Sequence, residues 1–336
     1  MTHEPTERKS RVEARPLEPS ESSEAIAAAG ETARRVIANV AQVIHAPQAL
    51  LERCMLAVLC EGHLIIEDFP GVGKTMLAKS LARSLSCEFA RVQATPDLLP
   101  SDITGVNVFN LQTNQFEFKP GPVFANLVLV DEINRASPKT QSALLECMQE
   151  AQVTVDGHTH PLARPFMVVA TQNPVEYEGT FPLPEAQLDR FTMLLTLGYP
   201  DLADEARMLA EHAAFEPLDA LEPVCDAADM DAAIEAVKGV YVEDSLHRYV
   251  VAILRHTRGD TRLALGASPR AGISLLRVAK AMAAVRGRDY VIPADVKDVA
   301  ADVLSHRVIL SPEARTAGLA AAELVAEAVD RTPVPM

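Results

Sequence analysis

Two glycines, followed at once by a lysine and a hydroxyl residue, stand in Pro70-Gly71-Val72-Gly73-Lys74-Thr75. Glycine tolerates the backbone conformations that turn successive N–H groups inward, and such a concavity binds anions. A short apolar run, His63-Leu64-Ile65-Ile66-Glu67, precedes the segment, and Leu77, Leu81 and Leu85 follow at helical spacing. A glycine-rich turn between a strand and a helix N-terminus is a phosphate-binding loop. The chemistry expected is therefore binding of ATP, with Lys74 reaching the β- and γ-phosphates and the Thr75 hydroxyl on Mg2+. Pro70, Val72 and Met76 complete the expected binding segment. Met76 also suits an apolar helical face in the core, as do Met148 and Met282. Asp68 stands where the usual pattern has glycine, and its carboxylate is expected to point away from the phosphates.

Two more strand ends carry polar chemistry. Leu127-Val128-Leu129-Val130 delivers Asp131 and Glu132 to the carboxyl edge of a sheet, where open α/β folds bind ligands. Asp131 is expected to hold Mg2+ through water, and Glu132 to orient or deprotonate an attacking water. Val168-Val169-Ala170-Thr171-Gln172 leads to Asn173, which could hydrogen-bond that water or the γ-phosphate. Taken alone, Asn173 before Pro174 would read as a turn residue.

The elements that must position these groups follow from pattern. Near-continuous apolar runs at 63–67, 89–92, 127–130, 166–169 and 193–195, separated by helical segments, predict a five-stranded parallel sheet covered by helices on both faces. Two stretches read as hairpin insertions: Gly105–Phe109 with Phe116–Phe118, and Gln152–Val155 with His158–Leu162 around Asp156-Gly157. Helices are expected over 23–48 and 48–60 before the loop. After Tyr199-Pro200 the pattern is helical throughout, with Ser268-Pro269 and Ser311-Pro312 as N-cap serines before a first-turn proline. The fold class is α/β, with a polar disordered tail over 1–24, the phosphate-loop core over 25–200 and an all-helical lid over 201–336.

Composition bounds the function classes. No run of about 18 apolar residues predicts a membrane span, and the N-terminal segment lacks the apolar stretch of a secretory signal. The five cysteines have no zinc or CxxC spacing and fit reduced core thiols of a cytoplasmic protein. A net charge of −15, with 4% aromatic residues and no tryptophan, disfavours nucleic acid as a partner. His158 and His160 share a face of the second hairpin and read as solvated.

The three strand ends, in this order, resemble those of the AAA+ ATPases. Asp131-Glu132-Ile133-Asn134-Arg135-Ala136, Ala170-Thr171-Gln172-Asn173-Pro174, 95–105, 179–191 and Gly266-Ala267-Ser268-Pro269-Arg270 narrow the resemblance to the MoxR family over roughly residues 30–330. The resemblance implies that Arg190 is an arginine finger for the neighbouring subunit's γ-phosphate and that Arg270 is a second sensor on the lid. The alternative for Arg190 is a salt bridge to Asp189 or Glu185. Arg270 falls in the first turn of its helix, where a cation opposes the helix dipole, which suggests a partner such as phosphate. Lys74, Glu132, Asn173, Arg190 and Arg270 form the expected catalytic set. The first hairpin looks like the insertion in the second helix that marks this branch, and the second like the hairpin preceding the sensor strand. Gln93 could couple Glu132 to the hairpins. Ala46-Pro47-Gln48 departs from the Val-Gly-Gln of many relatives at a segment that lies near the adenine. A ring homo-oligomer, a hexamer, and client proteins with von Willebrand factor A domains are further implications, with chaperone-like remodelling as the work. The competing readings are a nucleic-acid motor and a nucleotide-gated scaffold without turnover.

Overall fold

The computed structural model describes residues 19–69, 71–173, 180–199, 202, 205 and 217–335. In chain order the first part forms α1 (Pro19–Val40), α2 (Gln48–Leu59), β1 (Leu64–Glu67), α3 (Lys74–Ser84), β2 (Phe89–Gln93), α4 (Pro100–Thr104), β3 (Gly105–Asn110), β4 (Gln115–Pro120) and β5 (Leu127–Asp131). There follow α5 (Pro138–Glu150), β6 (Gln152–Val155), β7 (His158–Pro161), β8 (Met167–Gln172), α6 (Glu185–Leu188) and β9 (Met193–Leu195). The second part forms α7 (Ala227–Lys238), α8 (Asp244–Gly259), β10 (Leu263–Leu265), α9 (Pro269–Val285), α10 (Pro293–Leu304), β11 (Ile309–Leu310), α11 (Pro312–Thr316) and α12 (Ala321–Arg331).

The central sheet has the order β2-β5-β8-β1-β9, and every pair in it is parallel. Its apolar strands are buried on both faces, and alternation sorts them. Leu64, Ile66, Leu127, Leu129, Met167 and Val169 pack with α2 and α3 residues such as Leu56 and Leu81. Ile65, Val128, Val130, Val168 and Ala170 pack with Leu144, Leu145 and Met148 of α5. The period of two thus explains how near-continuous hydrophobic strands are buried between two helical layers.

Both hairpins form. The β3–β4 ladder runs from Gly105 opposite Pro120 to Asn110 opposite Gln115, longer than the sequence pattern suggested. Asp156 and Gly157 have φ of 49° and 80° in the β6–β7 turn, the conformation that Asp-Gly favours. The hairpins touch: Asn107 Nδ2 donates to Asp156 Oδ2 at 2.7 Å, and the His160 ring stacks on Phe118 with centroids 4.1 Å apart. His160 is therefore a packed ring joining the two insertions, a correction to its reading as solvated, while His158 is exposed. Its cause is a cross-hairpin partner that spacing within β7 does not reveal.

Three further expectations are corrected. Residues 19–24, assigned to the tail, are the first turns of α1, because Ile26, Ala29, Ala33, Val36, Ile37 and Val40 provide a buried stripe that holds the whole helix. That helix stops at Val40, short of the predicted end. The lid also contains strands: β10 pairs antiparallel with β11, and Ser311 N donates to Arg262 O at 2.8 Å, which satisfies backbone groups between helices.

Although α1 opens the chain, it packs on the C-terminal helices α7 and α9. Arg34 Nη1 donates to Val285 O at 2.6 Å, and a Cβ on Gly30 would lie 2.1 Å from Ala284 O, so only glycine permits this approach. One hydrophobic core runs from Leu77 and Leu81 of α3 through α1 to Met282 and Val299 of the lid. Residues 1–18 and the boundary at Pro200 lie outside the described residues. Among the described residues, no helix is long and apolar enough to cross a membrane.

Candidate active site

The phosphate loop joins β1 to α3. Gly71 and Gly73 have φ of 87° and 89°, and a Cβ on either would meet nothing within 4 Å. Glycine is thus demanded by backbone conformation and not by crowding, and the space before the loop is open. Pro70 lies outside the described residues. Lys74 Nζ donates to the carbonyls of Asp68 at 2.7 Å and Phe69 at 3.2 Å, holding the loop closed on itself. Burial lowers the Lys74 pKa, and the negative charges of Asp68, Asp131 and Glu132 pull it back up.

Asp68, the departure from the usual pattern, is only 3% exposed. Its Oδ1 accepts from Phe69 N at 2.8 Å and its Oδ2 from Gly198 N at 2.7 Å. Oδ1 thus holds the loop's own backbone and Oδ2 ties it to the segment after β9, and the carboxylate does not line the phosphate cleft.

Parallel strands bring the remaining groups to one edge. Gln93 is in register with Asp131, and Glu67 with Gln172, so the carboxyl ends of β2, β5, β8 and β1 lie side by side. A cleft of about 410 Å3 at this edge is lined by Gly71, Gly73, Lys74, Thr75, Met76, Asp131, Glu132 and Asn173. Met76 is half-buried at the cleft and not a core residue, whereas Met148 and Met282 are buried. Val72, also half-buried, is the loop residue between the two glycines.

Glu132 takes φ 55° and ψ 49°, left-handed backbone that a side chain other than glycine's seldom adopts. The strain is held by Thr171, whose Oγ1 accepts from Glu132 N at 2.9 Å. The Glu132 carboxylate is aimed by two donors on the same oxygen: Gln93 Nε2 at 3.0 Å and Arg135 Nη1 at 3.1 Å. Asp131 accepts from Arg91 Nε at 2.7 Å and from Thr171 Oγ1 at 3.3 Å. Arg91, Thr171 and Lys79 also line the cleft and were not singled out from sequence. For Arg91 a signal existed, since residues 91 and 93 of a strand share a side.

The two arginines lie elsewhere. Arg190 and Arg270 share a second cleft of about 360 Å3 with Arg277 and Arg307. Arg190 follows α6, and Met193, three residues on, pairs with Leu64 at the start of β1. The phosphate loop follows the other end of β1. The four residues of β1, at ~3.3 Å each, put on the order of 13 Å between the two edges. Arg190 forms no ion pair with Asp189 or Glu185 among the described residues; its Nη1 donates to Leu145 O at 2.6 Å. Arg270 Nε is 3.9 Å from Asp189 Oδ2, half-exposed in the first turn of α9, which Ser268 caps through Ala271 N at 3.1 Å. Ala46 and Gln48 line neither cleft but a third, between α1, α2 and Val285.

Comparison with known proteins places this arrangement. The profile of the ATPase family associated with various cellular activities (AAA) matches residues 63–193, and that of the AAA lid domain matches 255–328. The uncharacterized Bacillus subtilis protein YeaC is 50% identical over 84% of this chain and 88% of its own length. Chaperone MoxR1 of Mycobacterium tuberculosis is 41% identical, covering 88% of this chain and 80% of that protein. Protein MoxR of Methylorubrum extorquens is 30% identical over 91% and 96%. The crystal structure of a candidate ATPase from Cytophaga hutchinsonii superposes with a TM-score of 0.87 at 38% identity, covering 94% of this chain and 98% of that one.

Proposed function

Since the chain belongs to the MoxR family of AAA+ ATPases, we propose that it hydrolyses ATP in a closed ring of identical subunits, a hexamer, and uses the cycle to remodel client proteins during maturation or cofactor insertion. The observation that carries this reading is the separation of the two clefts. Lys74, Thr75, Asp131 and Glu132 stand at one edge of the sheet, and Arg190 and Arg270 at the other. A head-to-tail ring brings the second edge of one subunit against the first edge of the next. Arg190 and Arg270 then meet the neighbour's γ-phosphate, where added positive charge accelerates phosphoryl transfer about 10³–10⁵-fold.

Within the phosphate cleft, the backbone N–H groups around Gly71 and Gly73 hold phosphate, and Lys74 leaves its carbonyl partners for the β- and γ-phosphates. Thr75 and Asp131 offer the hard oxygen donors that suit Mg2+, with Asp131 acting through water because its oxygens already face Arg91 and Thr171. Mg2+, when bound, neutralises developing charge on the phosphates. Glu132, fixed by Gln93 and Arg135, orients the attacking water and accepts its proton, and Asn173 holds that water against the γ-phosphate.

Client contact is supported by the β3–β4 hairpin, where Phe109, Leu111 and Phe116 are 45%, 83% and 71% exposed. Clients carrying a von Willebrand factor A domain, and a cytoplasmic site of action, belong to the same proposal. Burial pushes the Cys54 thiol up to about 12 and the Cys147 thiol up to about 11, as suits inert reduced cysteines. Glu132→Gln tests the chemistry: ATP binding should persist while turnover falls about 10²–10⁴-fold. Undiminished turnover would remove Glu132 from the reaction, and a parent ring that binds ATP without hydrolysing it would leave a scaffold.

A further inference from the structure

The turn that presents Arg190 is held by the core on one side and by the lid on the other. Asp189, Arg190 and Phe191 follow α6, and the Phe191 side chain is fully buried in the sheet core. Against this turn lies Ser305–Arg307, a single helical turn between α10 and β11. Arg307 Nε stands 2.8 Å from Asp189 Oδ1, and its Nη2 donates to Phe191 O at 2.6 Å, to Ser274 Oγ at 3.2 Å and to Asp189 O at 3.4 Å. Its Nη1 returns to Val303 O at 2.8 Å, anchoring the guanidinium to its own helix. His306 Nε2 donates to the same Phe191 carbonyl at 3.1 Å. The residues on either side of Arg190 are thus gripped from the lid, while the half-buried Arg190 side chain donates from Nη1 to Leu145 O of α5.

Burying a guanidinium is costly, and an apolar residue of similar size would serve packing at least as well. The Arg307 side chain is 2% exposed, and it joins two lid partners, Val303 O and Ser274 Oγ, to Asp189 and Phe191 of the turn. We propose that Arg307, supported by His306, is the positioning residue for the Arg190 finger, and that it makes finger placement a property of the lid of the same subunit. Any lid movement is then carried to the nucleotide of the neighbouring subunit without passing through its own phosphate loop. This rests on the shared-site reading given above.

The test mixes subunits. Arg307→Gln alone should bind ATP with near-parental affinity and lose at least about tenfold in turnover, the signature of a contact needed in the transition state and not for binding. Combined with Glu132→Gln subunits, which keep an intact finger, the Arg307→Gln subunits should regain activity. In a closed head-to-tail ring, random equimolar mixing makes about a quarter of the sites whole. Arg190→Ala mixed with Glu132→Gln is the reference and should recover equally. If the reference recovers and the Arg307→Gln mixture does not, Arg307 does not act through the finger and the proposal is overturned while the shared site stands. If the reference also fails, the shared-site reading falls and takes the proposal with it. Arg307→Lys keeps the charge on Asp189 but lacks the fork that also reaches Phe191 O, so it should show a partial loss with the same recovery. Full activity of Arg307→Gln alone, or loss of ATP binding in both variants, would make Arg307 a folding residue and overturn the assignment.

Discussion

Lowering the pH from 7 to 5 should destabilise this protein through His63, at the start of β1. The ring is 6% exposed and lies edge-on to Phe166, with Nε2 donating to Met148 O at 3.0 Å and Nδ1 accepting from Val168 N at 3.0 Å. The acceptor role of Nδ1 fixes the neutral tautomer, because a second ring proton would point at the Val168 N–H. Burial lowers the pKa from 6.5 to about 4, and the Met148 carbonyl offsets this in part. Between about pH 6.5 and 4 the unfolded chain therefore holds a proton at His63 that the folded chain does not. Stability is complete above 6.5 and is lost as the pH falls toward 4. At about 1.4 kcal/mol per unit, the full difference is on the order of 3 kcal/mol, of which about 2 is lost by pH 5. His306, lowered to about 3 by burial and by Arg307, acts in the same direction. Urea unfolding of the parent and of His63→Gln at pH 7 and pH 5 isolates the first residue. The variant should be less stable at pH 7, since it loses both fixed hydrogen bonds, yet its loss between the two pH values should be about 2 kcal/mol smaller. Equal losses in parent and variant would refute the reasoning.

Other substitutions probe the loop itself. Asp68→Ala removes two charge-assisted acceptors and should cost about 2–4 kcal/mol, read as a drop of several degrees in unfolding temperature; an unchanged midpoint would mean that the Phe69–Gly198 clamp holds nothing. Gly73→Ala places a side chain at φ 89° and should cost about 1–2 kcal/mol of loop strain. Calorimetric titration should show roughly tenfold weaker ATP binding, and parental affinity would show that this loop conformation is not the one that binds.

Placement carried by short contiguous strings was legible in the sequence; contacts between distant segments were not. That the glycine-rich loop and the strand ends at Asp131, Glu132 and Asn173 meet at one sheet edge could be read because each motif contains the strand that delivers it. The Asp156-Gly157 turn was legible for the same local reason. The packing of α1 on α7 and α9 was not, since an amphipathic stripe states that a face is buried and not what buries it. Gln93 could be placed beside Glu132 only loosely, and Arg91 only on the same side of β2 as Gln93, because both contacts depend on the register of β2 against β5. His306-Arg307 carries no periodic signal, and its partners on the Asp189–Phe191 turn are more than a hundred residues away. Met76 failed as a core expectation because one helical face passes from core to cleft within a turn.

The central claim is that each active site is completed by the next subunit, and steady-state ATPase rate against protein concentration, for the parent and for Arg190→Ala, tests it most directly. Specific activity of the parent should rise with concentration as rings assemble, and Arg190→Ala should bind ATP yet lose most turnover at every concentration. A flat specific activity together with a fully active Arg190→Ala would contradict the shared site and leave a self-contained ATPase.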